Sequence, residues 1–144
     1  MIRPYTDHDA DIVVSIWRAA SELAHPFLST SFLDAEAANV RTVYPQFAEI
    51  WVLENHGTPI GFIALIDAEV GAIFLQPEHH GRGHGRAMMD FAVSRKGAVT
   101  LDVFKANIIG RAFYDRYGFT QVGEYVHEGS GQETLKLAFM LAES

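Results

Sequence analysis

Between Ile12 and Leu23 the apolar residues Ile12, Val13, Ile16, Trp17, Ala20 and Leu23 keep the three-to-four spacing of a helix buried along one side. Thr6 and Asp7 can cap its start, and Pro26 ends it. A Ser-x-x-Asp pattern, Ser31 to Asp34, predicts a second, weaker helix running to about Tyr44. The period then shortens. Ile50 to Leu53 and Ile60 to Ile66 read as strands flanking the turn Asn55-His56-Gly57-Thr58, hence an antiparallel hairpin. Glu69 to Leu75 is a third strand of this stretch. A glycine-rich turn opens a helix over about His84 to Arg95, which Lys96-Gly97 stops. Ala98 to Val103 is a strand, Asn107 to Tyr117 a short helix ended by Gly118, and Gln121 to Val126 and Thr134 to Leu141 are closing strands. Ile2 to Tyr5 adds a short first strand.

The predicted order is β-α-α-β-β-β-α-β-α-β-β. The segment from Glu69 to Val103 is long enough for a right-handed strand-helix-strand crossover, which makes its two strands parallel neighbours. The hairpins make their neighbours antiparallel, so the fold class is α/β (α+β), with a mixed, mostly antiparallel sheet flanked by helices. No repeat, linker or low-complexity tract divides the 144 residues, and a single domain over 1–144 is expected.

Composition narrows the function classes. With 11 Lys+Arg against 18 Asp+Glu, the net charge of −7 argues against a duplex nucleic-acid binder, which needs a basic face. Small anions need only a local cluster. Zero cysteines remove disulfides, thiol nucleophiles and cysteine-based zinc sites together. The first residues, Met1 to Asp7, lack the basic and apolar regions of a secretion signal, and Ile60 to Ile66, the longest apolar stretch, is too short to cross a bilayer. A cytoplasmic protein without membrane association is the expectation, either monomer or homodimer.

The chemistry concentrates in Ile73 to Met89. A strand runs into His80-Gly81-Arg82-Gly83-His84-Gly85-Arg86, and this turn opens a helix. Glycines let backbone approach a ligand, and the free N–H groups of a helix start bind anions. Arg82 and Arg86 add local positive charge. A P-loop is excluded because Gly85 is followed by Arg86-Ala87 rather than Lys-Ser/Thr. A dinucleotide fingerprint does not suit the hairpin before the loop or the two strands at the end.

These residues resemble the GNAT superfamily of acetyl-CoA-dependent N-acyltransferases. Its phosphate loop, Gln/Arg-x-x-Gly-x-Gly/Ala, is matched by His80 to Gly85 after Leu75-Gln76-Pro77, with His80 at the Gln/Arg position. A second family motif is matched by Asn107, Gly110, Phe113, Tyr114, Gly118 and Phe119, with Gly110 for the family's Ala. The resemblance implies a GNAT-like fold and acetyl-CoA as acyl donor. The donor's pantetheine arm would bond the backbone of Ile73, Phe74 and Leu75. Its pyrophosphate would lie on the loop of Gly81, Arg82, Gly83, His84, Gly85 and Arg86, with Asn107 and Tyr114 completing the site. Tyr114 would be the proton donor to the departing thiolate, and the acceptor a primary amine of a small molecule or peptide.

On helical spacing, Asn107 and Tyr114 share one side of their helix, Gly110 between them leaves room for a ligand, and Ile109, Phe113 and Tyr117 face the core. Asp102, His25 and Glu69 are alternative general bases, and a water chain can replace all three. His79, His80 and His84 lack the register and carboxylates of a metal site, so no metal is expected. A non-catalytic acyl-CoA sensor, or a module active only with a partner, is the alternative function.

Overall fold

The structure, a computed structural model, describes residues 1–141. In chain order it contains β1 (Ile2–Pro4), α1 (Ala10–Ala24), α2 (Thr30–Thr42), β2 (Glu49–Asn55), β3 (Thr58–Ile66), β4 (Glu69–Leu75), α3 (His84–Lys96), β5 (Ala98–Phe104), α4 (Ile108–Tyr117), β6 (Thr120–Val126) and β7 (Glu133–Met140). The element order is the one read from the sequence. The seven strands form one sheet, β1-β2-β3-β4-β5-β7-β6, in which only β4 and β5 run parallel.

Two apolar clusters cover the two faces. Ile50, Val52, Phe62 and Ala64 pack under Val13, Ile16, Trp17, Leu33 and Val40 of α1 and α2. Ile63, Leu65, Val70, Leu101 and Leu137 pack under Met88, Met89, Ala92 and Val93 of α3 and Tyr114 of α4. The β2–β3 turn places His56 and Gly57 at φ 53° and 79°, the paired left-handed conformations of a two-residue hairpin.

Some local expectations are corrected. Ser29, not Ser31, caps α2: its extended backbone brings Oγ to 3.1 Å from the Phe32 N–H, while Asp34 pairs with Arg18 at 2.8 Å. Asn107 is the cap of α4 rather than its first turn. Ile109 is 44% exposed, because the face of α4 that meets the sheet carries Phe113, Tyr114 and Tyr117 instead.

Thr6 forms its capping box with Asp9, at a 3-10 turn before α1. Asp9 also accepts two hydrogen bonds from Arg3, each 2.8 Å, tying β1 to that turn. The Arg3 guanidinium holds the Asp9 carboxyl at about 2, below the ordinary 3.8. A depressed carboxylate contributes stability at neutral pH that is lost as pH falls from about 4 through 2. Asp9→Asn should therefore lower stability by about 2 kcal/mol at pH 7 and flatten the acid limb of the pH–stability curve. Urea unfolding at pH 7 and pH 3 checks both effects.

Candidate active site

The sheet opens in its middle. β4 and β5 pair only at Glu69–Thr100 and Val70–Leu101, and beyond that point they part. The β3–β4 register explains which backbone groups are left free. Ala64 opposes Ala72 while Leu65 opposes Val70, so Gly71 is an extra, bulged residue. Past the bulge, Gln76 N–H donates to the Ile60 carbonyl, which fixes the alternation: Ala72 and Phe74 pair with β3, and Ile73 and Leu75 turn their N–H and C=O groups toward the gap. Phe74 was expected to offer its backbone to the ligand; it is paired with Phe62 instead. An isolated glycine within a strand pattern was the sequence signal for this bulge.

The gap continues into the glycine loop. Gly81 and Gly83 adopt φ 78° and 84°, which glycine reaches without strain. Gly83 stands at the N-cap of α3 with no side-chain cap. Among the described residues the amides from Gly81 to Arg86 have no hydrogen-bond partner, and the first helical bond is Ala87 N–H to Gly83 C=O. This row of free donors at a helix start has the chemistry of an anion seat. His80 turns back to donate its Nε2–H to the Leu75 carbonyl at 3.1 Å, bracing the loop against the end of β4. Gly85 lets α3 meet α4, since a Cβ there would lie 3.3 Å from the Phe113 ring.

One cleft of about 780 Å³ joins the gap and the loop. Gly81, Gly83, Gly85 and Arg86 line it, as do Ile73, Phe74, Leu75, Asn107 and Tyr114; Arg82 and His84 are not among its lining residues. Tyr114 packs against Phe113 and Phe119, with ring centroids 5.4 and 5.6 Å away, and is 9% exposed. Among the described residues its hydroxyl has no hydrogen-bond partner, and burial of the residue raises its pKa well above the ordinary 10.

The far side of the cleft is acidic and aromatic. Side chains alternate across a strand, so with Val70, Leu101 and Val103 on the α3 face, Glu69, Asp102 and Phe104 project to the α1–α2 face. Asp102 accepts from the Tyr125 hydroxyl at 2.8 Å and lies 3.5 Å from Lys136 Nζ. His25 sits edge-on to Phe27 and Phe104, and burial there pushes its pKa down to about 4. The sequence reading missed Glu36, whose carboxylate accepts from Tyr44 Oη at 2.9 Å and Asn39 Nδ2 at 3.1 Å. Ser21, 1% exposed with an unpartnered Oγ, also lines the cleft. No local pattern marks these two residues; α1 and α2 bring them to the same cleft. Among the described residues no cluster of metal-ligating side chains occurs.

A parted strand edge running into free amides at a helix start has the shape and donors that suit an extended molecule bearing phosphates. A family model described as an acetyltransferase (GNAT) domain matches residues 46–121, and the chain belongs to that family. Its class of activity is acetyl-CoA-dependent N-acetyl transfer. The chain is 30% identical over 142 residues to the peptidyl-lysine N-acetyltransferase YjaB of Escherichia coli (strain K12), covering 96% of each. It is 28% identical over 120 residues to the peptidyl-lysine N-acetyltransferase YiaC of the same organism, covering 83% of this chain and 82% of that one. The solution structure of apo-form YjaB from Escherichia coli superposes with a TM-score of 0.88 at 28% identity, covering 99% and 98% of the two chains. The PaiA N-acetyltransferase of Thermoplasma acidophilum, solved in complex with coenzyme A, superposes at 0.79 with 19% identity, covering 98% of each chain, a likeness of fold.

Proposed function

We propose that this enzyme acetylates the ε-amine of lysine side chains by direct attack within a ternary complex. The observation that carries the reading is the parted β4–β5 edge, with the anion seat at one end and acidic side chains on the opposite face. The peptidyl-lysine acetyltransferases among its relatives support the acceptor class. So does the charge of the acceptor side: Glu36, Glu69 and Asp102 line the cleft there and favour a cationic side chain.

Bound acetyl-CoA supplies a thioester whose carbonyl oxygen gains negative charge as the amine attacks and gives it back as the sulfur departs with its bonding electrons. The N–H groups of Ile73 and Leu75 face the gap and can stabilise that oxygen. The Ile73 backbone, the Leu75 N–H, the Gly81–Arg86 amides and Arg86 suit a pantetheine arm and a pyrophosphate, and the Asn107 amide borders the same groove. Tyr114 stays protonated across the neutral range and offers its O–H to the departing sulfur. A thiol titrates near 8.5, below this phenol, so Tyr114 acts first as a hydrogen-bond donor and gives up its proton only as the sulfur's own charge is desolvated. A lysine amine near 10.4 must lose a proton before it attacks. Glu69 and Asp102 flank the point where β4 and β5 separate and are suited to take that proton, directly or through water. His25 is less suited, because its Nε2 lone pair already accepts from Asn107.

Acetyl-CoA and free CoA should each raise the melting temperature by several degrees at about 100 times their dissociation constants, and ATP should not. Thiol release should then be faster with a lysine-containing peptide than with the same peptide bearing norleucine in place of lysine. Equal release from both, or a free polyamine used in preference to the peptide, overturns the lysine assignment.

A further inference from the structure

Asn107 and His25 lie 82 positions apart in the chain, yet their side chains meet at 3.2 Å. The direction of that bond is set by a third residue. Gly110 N–H donates to Asn107 Oδ1 at 2.8 Å, the cap of α4, so the other end of the amide, Nδ2, must face His25 Nε2. An amide nitrogen only donates, hence His25 Nε2 accepts and its single proton lies on Nδ1. Gly110 makes the arrangement sterically available. A Cβ at that position would fall 2.5 Å from Asn107 Nδ2 and 3.0 Å from its Cγ, so any larger residue displaces the amide. The room at Gly110, expected to admit a ligand, is filled by the Asn107 cap.

His25 in turn anchors a row of rings. It lies edge-on to Phe27 at 5.6 Å and to Phe104 at 5.1 Å, and Phe104 meets His127 at 5.6 Å. This row spans the α1–α2 loop, the end of β5 and the loop after β6, the wall on the acceptor side. Asn107 belongs to the opposite wall, at the start of the helix that carries Tyr114.

Resting on the lysine-acetylation reading above, we propose that His25 is a positioning residue. Held by the Asn107 amide through the space left at Gly110, it fixes the aromatic acceptor wall at the correct distance from the acetyl donor, and it does not serve as the general base. Hydrogen-bond acceptance at Nε2 is the required property, so a glutamine, whose Oε1 reaches nearly as far, can replace the imidazole.

The experiment combines a spectroscopic and a kinetic readout. Long-range proton–nitrogen NMR on the wild-type enzyme at pH 7 should show His25 as the neutral Nδ1–H tautomer, the minor form of free histidine. In Gly110→Ala it should move toward the Nε2–H form, since the displaced amide no longer donates. With a lysine peptide, His25→Ala and Gly110→Ala should each raise the acceptor KM about tenfold and leave the pH profile of kcat unchanged. His25→Gln should stay within about threefold of wild type. An Nε2–H tautomer or an imidazolium in the wild-type enzyme overturns the bond. Loss of the basic limb of the pH profile in His25→Ala, with no rescue by His25→Gln, overturns the positioning role in favour of a base. Failure of the lysine reading would look different: the tautomer result would stand while no lysine peptide turned over.

Discussion

Replacing Tyr114 by phenylalanine should lower turnover by roughly 10²–10⁴ and leave the affinity for acetyl-CoA within about twofold. The ring's contacts with Phe113 and Phe119 are kept by phenylalanine, and the hydroxyl makes no hydrogen bond that folding would miss. Removing a hydroxyl that faces the cleft and holds no other side chain in place should leave the melting temperature nearly unchanged. The loss should appear equally in kcat and in kcat/KM, because the O–H acts on charge that develops only as the sulfur leaves. Burst-free steady-state kinetics with a lysine peptide, together with isothermal titration of acetyl-CoA, separate the two quantities. Turnover unchanged in the variant would take the proton-donor role away from Tyr114.

An equally large effect, on binding rather than chemistry, is expected from Gly83→Asp. The residue sits at φ 84° with no atom within 4 Å of where a Cβ would stand, so the cost to folding is backbone strain of about 1 kcal/mol and no clash. Aspartate is among the side chains that tolerate this conformation best. Its carboxylate would compete for the free amides from Gly81 to Arg86 and repel any other anion approaching them. Affinity for acetyl-CoA should fall at least a hundredfold. Gly83→Ala carries the same strain without the charge and should lose no more than about tenfold. Calorimetric titration of both variants tests the pair. Acetyl-CoA binding equally tight to the aspartate and alanine variants would move the pyrophosphate seat away from this loop.

The amino-acid order by itself determined the elements and their neighbours. Every strand and helix lies within a few residues of where periodicity, caps and glycine or proline stops put it, because those signals act over a few residues. Even the single parallel pair followed, from the length of the crossover between Glu69 and Val103. The free amides at the start of α3 were equally legible: alternating glycines running into a helix leave its first N–H groups unpaired wherever the rest of the chain goes. Misplacements were local competitions that pattern alone does not resolve. Ser29 and Ser31 both suit a cap, and the one with extended backbone took it.

What only the tertiary structure decided is the working geometry of the cleft. A one-residue bulge at Gly71 shifts the strand's alternation and so selects Ile73 and Leu75, rather than Phe74, to face the gap. Asp102 is engaged by Tyr125 and Lys136 from β6 and β7, and Glu36 is held by Tyr44 and Asn39 on the opposite wall. Gly110 gives its space to the Asn107 amide, and that amide reaches His25. Each of these facts depends on strand register and on contacts between residues far apart in the chain. Hydrophobic period and turn chemistry encode which face of an element is buried, but not which polar group across the core it will meet.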